Sequence, residues 1–355
     1  MSLFPDVSSS VYKHALDNLW SAHQQQRATN APTVVSTFAG CGGSSLGYSA
    51  AGFDERLAVE WDNHAVEVFR ANFPHVPVWH EDIAKLSVEQ ALELSKLDPG
   101  ELNVLDGSPP CQGFSPQGKR HLHDSRNQLF IEFVRLVDGL KPEAFVMENV
   151  KGMVMGKMRA VFNEAKRALE DCGYEIAAGI INMALLGVPQ KRERLVVVGF
   201  REDLSTKPSL PRPVPERRTV NDAFKLLSNK GRPHTNLSPN TAKSALLRAL
   251  QPGQGGADFL ESKGRKRGSY SLYKLDGSKP SFTICKTNTP WAHPLVDRLC
   301  TDTELCRLAS FPDQYNWCDS NTNQIVARIG NSVPPLGMFQ IAKHLRQALA
   351  QTHAN

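Results

Sequence analysis

No stretch of this 355-residue sequence approaches the roughly 18 consecutive apolar residues that a membrane-spanning helix requires. Its first residues, MSLFPDVSSSVYKHALDNLW, lack both the basic and the apolar region of an export signal. The expectation is a cytoplasmic protein with no membrane partner. No CxxC pair occurs among the seven cysteines, at positions 41, 111, 172, 285, 300, 306 and 318. Neither a disulfide framework nor a tetrahedral zinc site is therefore expected, and no metal ligand is assigned. Most of these cysteines are expected to be buried as small apolar side chains. Internal repeats and low-complexity tracts are lacking too, and 41% hydrophobic with 22% charged residues is the composition of a globular chain.

One cysteine needs a separate account. Cys111 stands in GSPPCQGFSPQGKR, directly after two prolines and before a polar segment that ends in a basic pair. That setting suggests a thiol held rigidly beside a cation-lined cavity. The formal charge of +5 is also unevenly spread. Residues 201 to 280 hold 16 Lys and Arg against 7 Asp and Glu, a net +9, which leaves −4 for the other 275 residues. The densest run, SKGRKRGSYSLYK at 262 to 274, contains Arg265, Lys266 and Arg267 with Tyr270 and Tyr273 interleaved. It reads either as a solvated basic loop or as a surface that contacts phosphates.

Length allows one large domain of about 200 residues and a smaller one. Ala15, Leu16, Leu19 and Trp20 recur at helical spacing and predict a short N-terminal helix packed on the main body. The segments VVSTFAGCGG, RLAVEWD, LNVLDGSPP, AFVMENV and RLVVVGF read as strands, with helical stretches between them that include 127–140 and 157–172. Strands alternating with helices predict an open, mostly parallel sheet covered on both faces.

Ligands of such sheets bind where the strands end. FAGCGGSSLG, with glycines at 40, 42, 43 and 47, lets the backbone approach a ligand and then enters a helix. Glu60 follows twenty residues after Gly40, where a carboxylate can accept from two ribose hydroxyls. These features fit NAD, FAD or S-adenosylmethionine equally, or a tight turn with no ligand. Asp82, placed for an adenine amino group, and Trp61, placed to stack on a ring, favour an adenosine pocket over a surface Asp and a core Trp.

With PPCQGFS at 109 to 115 the sequence resembles the cytosine-5 DNA methyltransferases. The resemblance runs from about residue 34 to 350 and follows the family's motif order: FAGCGG, PPCQGFS, ENV at 148–150, QKRER at 190–194, RLASFPD at 307–313 and GNSVPP at 330–335. It implies a doubly wound, mostly parallel α/β sheet of Rossmann-like type with a smaller DNA-recognition domain. The implied division is an N-terminal extension over 1–33, a catalytic domain over 34–200, the recognition domain over 201–318, and a C-terminal segment over 319–355 that returns to the catalytic domain.

The chemistry implied is methyl transfer from S-adenosylmethionine to C5 of a cytosine flipped out of double-stranded DNA. Cytosine C5 is a poor nucleophile. A thiolate adding at C6 activates it, and Cys111 is the candidate, with Pro109 and Pro110 fixing the approach. By resemblance Glu148, its carboxyl kept protonated by burial, donates to N3; Arg194 contacts O2 and holds Glu148, and Arg192 supports the cytosine pocket or its loop. The cofactor candidates are Phe38, Ala39, Gly40, Gly42 and Gly43 of the turn, then Glu60, Trp61, Asp82, Ile83, Pro110, Leu129, Asn331 and Ser332. The helix after Pro335 is expected beside the first strand. Ser115, Lys119 and Arg120 join Arg265, Lys266 and Arg267 as phosphate candidates.

Only 85 residues, 195 to 279, separate QKRER from PSFTI, so the recognition loops are expected to be short. A monomer acting in a nucleoid-associated setting, with a cognate restriction endonuclease in the same system, completes the expectation. Of three rivals, an NAD-dependent dehydrogenase would explain the first turn only and leaves PPCQGF and QKRER unexplained. A tRNA methyltransferase of the same chemistry usually carries CFT near RLASFPD, which is absent here. An inert regulatory homologue would have lost Cys111, Glu148, Arg192 or Arg194.

Overall fold

Successive side chains of a strand point to opposite faces of its sheet, and here both faces are apolar. The computed structural model describes residues 4–110, 128–156, 158–227, 241–264, 272–286 and 291–353. Its strands are β1 (Thr33–Thr37), β2 (Asp54–Val59), β3 (Val78–Trp79), β4 (Val104–Gly107), β5 (Ala144–Val150), β6 (Tyr174–Asn182), β7 (Gln190–Lys191) and β8 (Glu193–Arg201). All but β7 form one sheet in the order β3-β2-β1-β4-β5-β8-β6. Strands β1 to β5 run parallel, and β8 lies antiparallel between β5 and β6.

Val34, Ala58, Val104, Val146 and Val196 face one buried cluster; their neighbours Val35, Leu57, Leu105, Phe145 and Leu195 face the other. Burial on both sides explains why these strands read as nearly continuous apolar runs. The edge strand β6 is different. Most of its central residues are partly or fully exposed, and its apolar run, IAAGII at 176–181, has Ala177, Ala178 and Gly179 at its centre in place of the β-branched residues of the buried strands.

Helices cover both faces. The first face carries α1 (Tyr12–His23), α2 (Gly43–Ala50) and α3 (Asn63–Asn72). The second carries α4 (Val88–Ser95), α5 (Gln128–Leu140) and α6 (Met158–Asp171). Tyr12, Ala15, Leu16 and Leu19 of α1 are buried, so the N-terminal segment is part of the main core. A separate small cluster is built by Leu246, Leu247, Leu250, Leu272, Ala292 and Leu299. It is built on α8 (Ala242–Ala249), with Phe259 and Leu260 of α9 (Gly256–Ser262) packed against it and Ala292 from the two-residue strand β11 (Trp291–Ala292). Helix α7 (Val220–Phe224) and the two-residue strands β9 (Tyr273–Lys274) and β10 (Ser281–Phe282) lie in the same stretch of chain. Of these, β10 pairs with β7.

The chain then returns through α10 (Asp302–Leu308), α11 (Thr322–Asn331) and α12 (Pro335–Thr352). Arg307 of RLASFPD is fully buried. Its guanidinium meets both oxygens of Asp313, at 2.7 and 2.5 Å, and donates to the carbonyls of Ala223, Lys225 and Leu226. That motif is therefore a structural brace between α7 and the segment after α10. Helix α12 packs on α2, one element beyond β1. Gly47 permits this approach: a Cβ there would lie 2.6 Å from Met338 Cβ and 2.7 Å from the Phe339 nitrogen. No helix among the described residues is long and apolar enough to cross a membrane. Of the cysteines described, Cys41, Cys300 and Cys306 are buried, Cys172 and Cys318 are partly exposed, and Cys285 is exposed.

Beneath the first turn lies a buried acidic group. Tyr48 donates to Asp106 over 3.2 Å, and Ser45 donates to Glu55 over 2.8 Å. Burial raises Asp106 to about 8 and Glu55 to about 7, each carboxyl also feeling the other or a neighbouring acid. Folding therefore retains protons that the unfolded chain, with carboxyls near 4, has released. Their contribution to stability is complete below the unfolded values and is lost as pH rises through 7 and 8.

Two outcomes follow from this architecture. Gly47→Ala is expected to destabilise the protein by about 1–3 kcal/mol through overpacking against α12, read from urea unfolding. The wild-type urea midpoint is expected to fall between about pH 6 and pH 9, and Asp106→Asn to flatten that fall. A parallel decline in both proteins would contradict the assignment.

Candidate active site

The turn after β1 alternates left-handed residues: Phe38 at φ 56°, Gly40 at 57° and Gly42 at 90°. Phe38 is not a glycine, and holding it there costs on the order of 1–3 kcal/mol. Glu60, at the end of β2, holds the turn in place. One oxygen accepts from the Gly40 N–H at 2.8 Å, and the other accepts from the N–H groups of Trp61 and Asp62, each at 2.9 Å. A Cβ on Gly40 would meet nothing within 4 Å, whereas one on Gly42 would lie 2.4 Å from the Phe73 ring and 2.8 Å from the Tyr315 hydroxyl. Gly40 therefore faces open space and Gly42 faces the protein interior. Helix α2 begins with no side-chain cap, leaving its first N–H groups free of one.

The open space is a cavity of about 440 Å³, in the range of small-molecule sites. Phe38, Ala39, Gly40 and Gly43 of the turn line it, as do Glu60, Trp61, Asp82 and Ile83. Pro110, Leu129, Asn331 and Ser332 close it from other segments. Every expected cofactor residue is thus at this cavity except Gly42, which shapes the turn from behind. Trp61 is 69% exposed, which excludes the reading of it as a core residue. Asp82 accepts from the Ala84 N–H at 3.0 Å. Ser332 lies 3.2 Å from Cys41 Sγ through its hydroxyl, which also donates to the Arg328 carbonyl at 2.8 Å.

Glu148, Arg192 and Arg194 line the same cavity. Glu148, 7% exposed near the end of β5, has its Oε1 3.0 Å from Arg194 Nε. The two charges are paired, yet Oε1 has no aligned hydrogen bond among the described residues. Burial raises the Glu148 carboxyl above its ordinary value, against the opposing pull of Arg192 and Arg194. Arg192 has a different role from Arg194. Only 2% exposed, it donates to the carbonyls of Ile284 and Gly330 over 3.1 to 3.3 Å, with Nε unpartnered among the described residues. Burial, then the nearby Arg194 charge, lowers it to about 10. Gln190 of the same motif is buried, accepting from the Ile284 N–H and donating to the Leu308 carbonyl.

The proline pair is anchored beside this group, because Asn149 donates from Nδ2 to the Pro109 carbonyl at 3.0 Å. Cys111, Ser115, Lys119, Arg120, Arg265, Lys266 and Arg267 lie outside the described residues. Further residues line the cavity without a role expected from the sequence: among them Ser108, Asn149 and Asp62 stand within GSPPCQGFSPQGKR, ENV and RLAVEWD, whereas Lys286 and Arg328 stand in no such segment. Asp62 was the most accessible of these, since an Asp directly before a helix is an N-cap signal, and it does accept from the Ala65 N–H at 2.8 Å.

The comparisons with known proteins agree with this geometry. The C-5 cytosine-specific DNA methylase family matches residues 33–347. Type II methyltransferase M1.HphI of Haemophilus parahaemolyticus is 33% identical over 338 residues, covering 91% of this chain and 88% of that one. Type II methyltransferase M.NgoFVII of Neisseria gonorrhoeae is 31% identical, covering 90% and 87%. An E. coli prophage protein, assigned as a DNA modification methyltransferase, superposes with a TM-score of 0.71 at 28% identity, covering 90% of this chain and all of that one. Spodoptera frugiperda DNMT2, at 18% identity and a TM-score of 0.64, shares the fold. With the family matched from β1 to α12 and a buried acid–arginine pair at the strand ends, this chain belongs to the C-5 cytosine-specific DNA methylases, which methylate cytosine in DNA at C5 with S-adenosylmethionine as methyl source.

Proposed function

We propose that the two ends of the 440 Å³ cavity are the two halves of the methyl-transfer site. One observation carries this reading: the Glu148–Arg194 pair and the Glu60, Asp82 and Asn331 side line a single continuous space. S-adenosylmethionine, when bound, supplies an electrophilic methyl group. The residues that would hold it suit its chemistry. Asp82 and Glu60 accept from adenosine donors, exposed Trp61 offers a ring face, and the uncapped start of α2 suits a carboxylate. Glu60 already takes three main-chain N–H groups, so about one of its four lone-pair sites remains for a ribose hydroxyl.

Cys111 follows cavity-lining Pro110 in the chain. Its thiolate adds to C6 of the cytosine, Glu148 donates a proton to N3, and Arg194 meets the charge at O2 while orienting Glu148. Arg192 positions the Gly330 carbonyl, and through it the segment bearing Asn331 and Ser332. Addition at C6 leaves C5 enamine-like and able to take the methyl group that bound S-adenosylmethionine would supply, with S-adenosylhomocysteine as the leaving group. Loss of the C5 proton, return of the N3 proton to Glu148 and elimination of the Cys111 thiolate then release 5-methylcytosine. None of these atoms is reachable in a stacked duplex, so the cytosine is flipped out. Ser115, Lys119 and Arg120 supply phosphate contacts. Residues 201–318 read a short DNA sequence, no longer than about six base pairs, through base-edge contacts. The enzyme acts as a monomer in the cytoplasm at the nucleoid, alongside a cognate restriction endonuclease.

Base-resolution sequencing of 5-methylcytosine in DNA and tRNA from cells expressing the chain tests the reaction. Methylation of DNA at one short motif, lost in Cys111→Ser, is the expected result, and marked tRNA alone would overturn it. The Cys111→Ser protein is expected to keep its S-adenosylhomocysteine affinity within about twofold, less than 0.5 kcal/mol. Replacing Arg265, Lys266 and Arg267 with alanine is expected to weaken DNA binding and lower the log–log salt slope by up to about three units. An unchanged slope would remove that run from the interface.

A further inference from the structure

One wall of the cavity, packed against the glycine turn where Ser332 meets Cys41, comes from a remote part of the chain, and one ion pair ties it to the end of β2. Arg328 of α11 meets Asp62 as a fork, with Nη1 3.0 Å from Oδ1 and Nη2 3.0 Å from Oδ2. The same carboxylate caps α3 through the Ala65 N–H, and the Asp62 N–H is held by Glu60. On the other side, the Arg328 carbonyl accepts from both the N–H and the hydroxyl of Ser332, at 3.0 and 2.8 Å. The pair thus joins the Glu60–Trp61 wall directly to the Asn331–Ser332 wall. Arg328 and Asp62 both line the cavity, and Arg328 Nε is buried without a partner among the described residues.

We infer that Arg328 is a positioning residue for the cofactor: its two-point contact with Asp62 sets the distance between the two walls before any ligand arrives. The inference rests on the reading of this cavity as the S-adenosylmethionine site. An ordinary exposed ion pair contributes little to stability, and here the segment has independent anchors. His64 Nε2 lies 2.8 Å from the Ser320 hydroxyl, and Asn72 exchanges two hydrogen bonds with the Asn316 backbone. Removing the pair therefore leaves α11 docked and loosens only the cavity end. The energetic effect falls on preorganisation.

The test is calorimetric binding of S-adenosylhomocysteine to the full chain, with steady-state methylation alongside. Arg328→Met is expected to raise Kd about tenfold. The KM for S-adenosylmethionine rises in step, while saturated kcat and the KM for DNA stay within about twofold. Arg328→Lys keeps the charge without the fork and is expected to recover only part of the loss. Asp62→Asn serves as the second variant, because Asn caps α3 as well as Asp does and removes only the charge partner. A folded Arg328→Met or Asp62→Asn protein with wild-type Kd would overturn the inference. Failure of the wild-type protein itself to bind S-adenosylhomocysteine would instead remove the reading on which it rests.

Discussion

Burying charge is the constraint around which the rest of this protein is arranged. Glu148 and Arg192 are almost wholly removed from solvent, and Arg194 nearly so, at the ends of β5 and β8. Removing ions from water costs several kcal/mol each unless partners compensate. Arg194 finds its partner across the β5–β8 ladder, where the antiparallel register sets Val150 opposite Arg194 and Glu148 opposite Val196. Among the described residues Arg192 has no carboxylate in contact and relies on the carbonyls of Ile284 and Gly330. One precedes α10 by a long stretch and the other ends α11. The cavity with its charged wall is thus complete only when the chain has travelled out through the small cluster and come back.

The same logic separates residues that look alike in the sequence. Arg192, Arg194 and Arg307 all stand in motifs of the family, and all three are buried or nearly so. Arg307 is saturated by Asp313 and three carbonyls, so nothing is left for a ligand. Arg194 keeps a loosely aligned contact with a carboxyl that burial has pushed toward the neutral form. A saturated arginine braces a fold; an incompletely paired one beside a cavity is free to re-aim at a substrate.

Much of this was legible in the sequence, because it depends on local chemistry. The strand–glycine turn–helix unit, the acid twenty residues on and the buried runs of β4, β5 and β8 each have a short-range signature that survives folding. The departures have physical causes. Strand β6 has an apolar run, but Ala177, Ala178 and Gly179 at its centre are poor strand formers. Gly42 belongs to the turn motif, but its missing Cβ faces Phe73 rather than the cavity. Helix α12 docks on α2 because of Gly47, a contact no periodicity predicts. Arg328 and Lys286 are ordinary basic residues until remote segments bring them to the cavity wall.

The Asp62–Arg328 contact spans 266 positions of the chain. During synthesis the glycine turn, Glu60 and the proline pair leave the ribosome long before α11 exists. Closing so large a loop is entropically expensive and slow compared with forming the local strand–helix units. A nascent chain therefore carries half a cavity, with Trp61 and the first turn of α2 facing water and no second wall. The two walls of the cavity meet only after α11 has been made, a delay written into the order of the segments along the polypeptide.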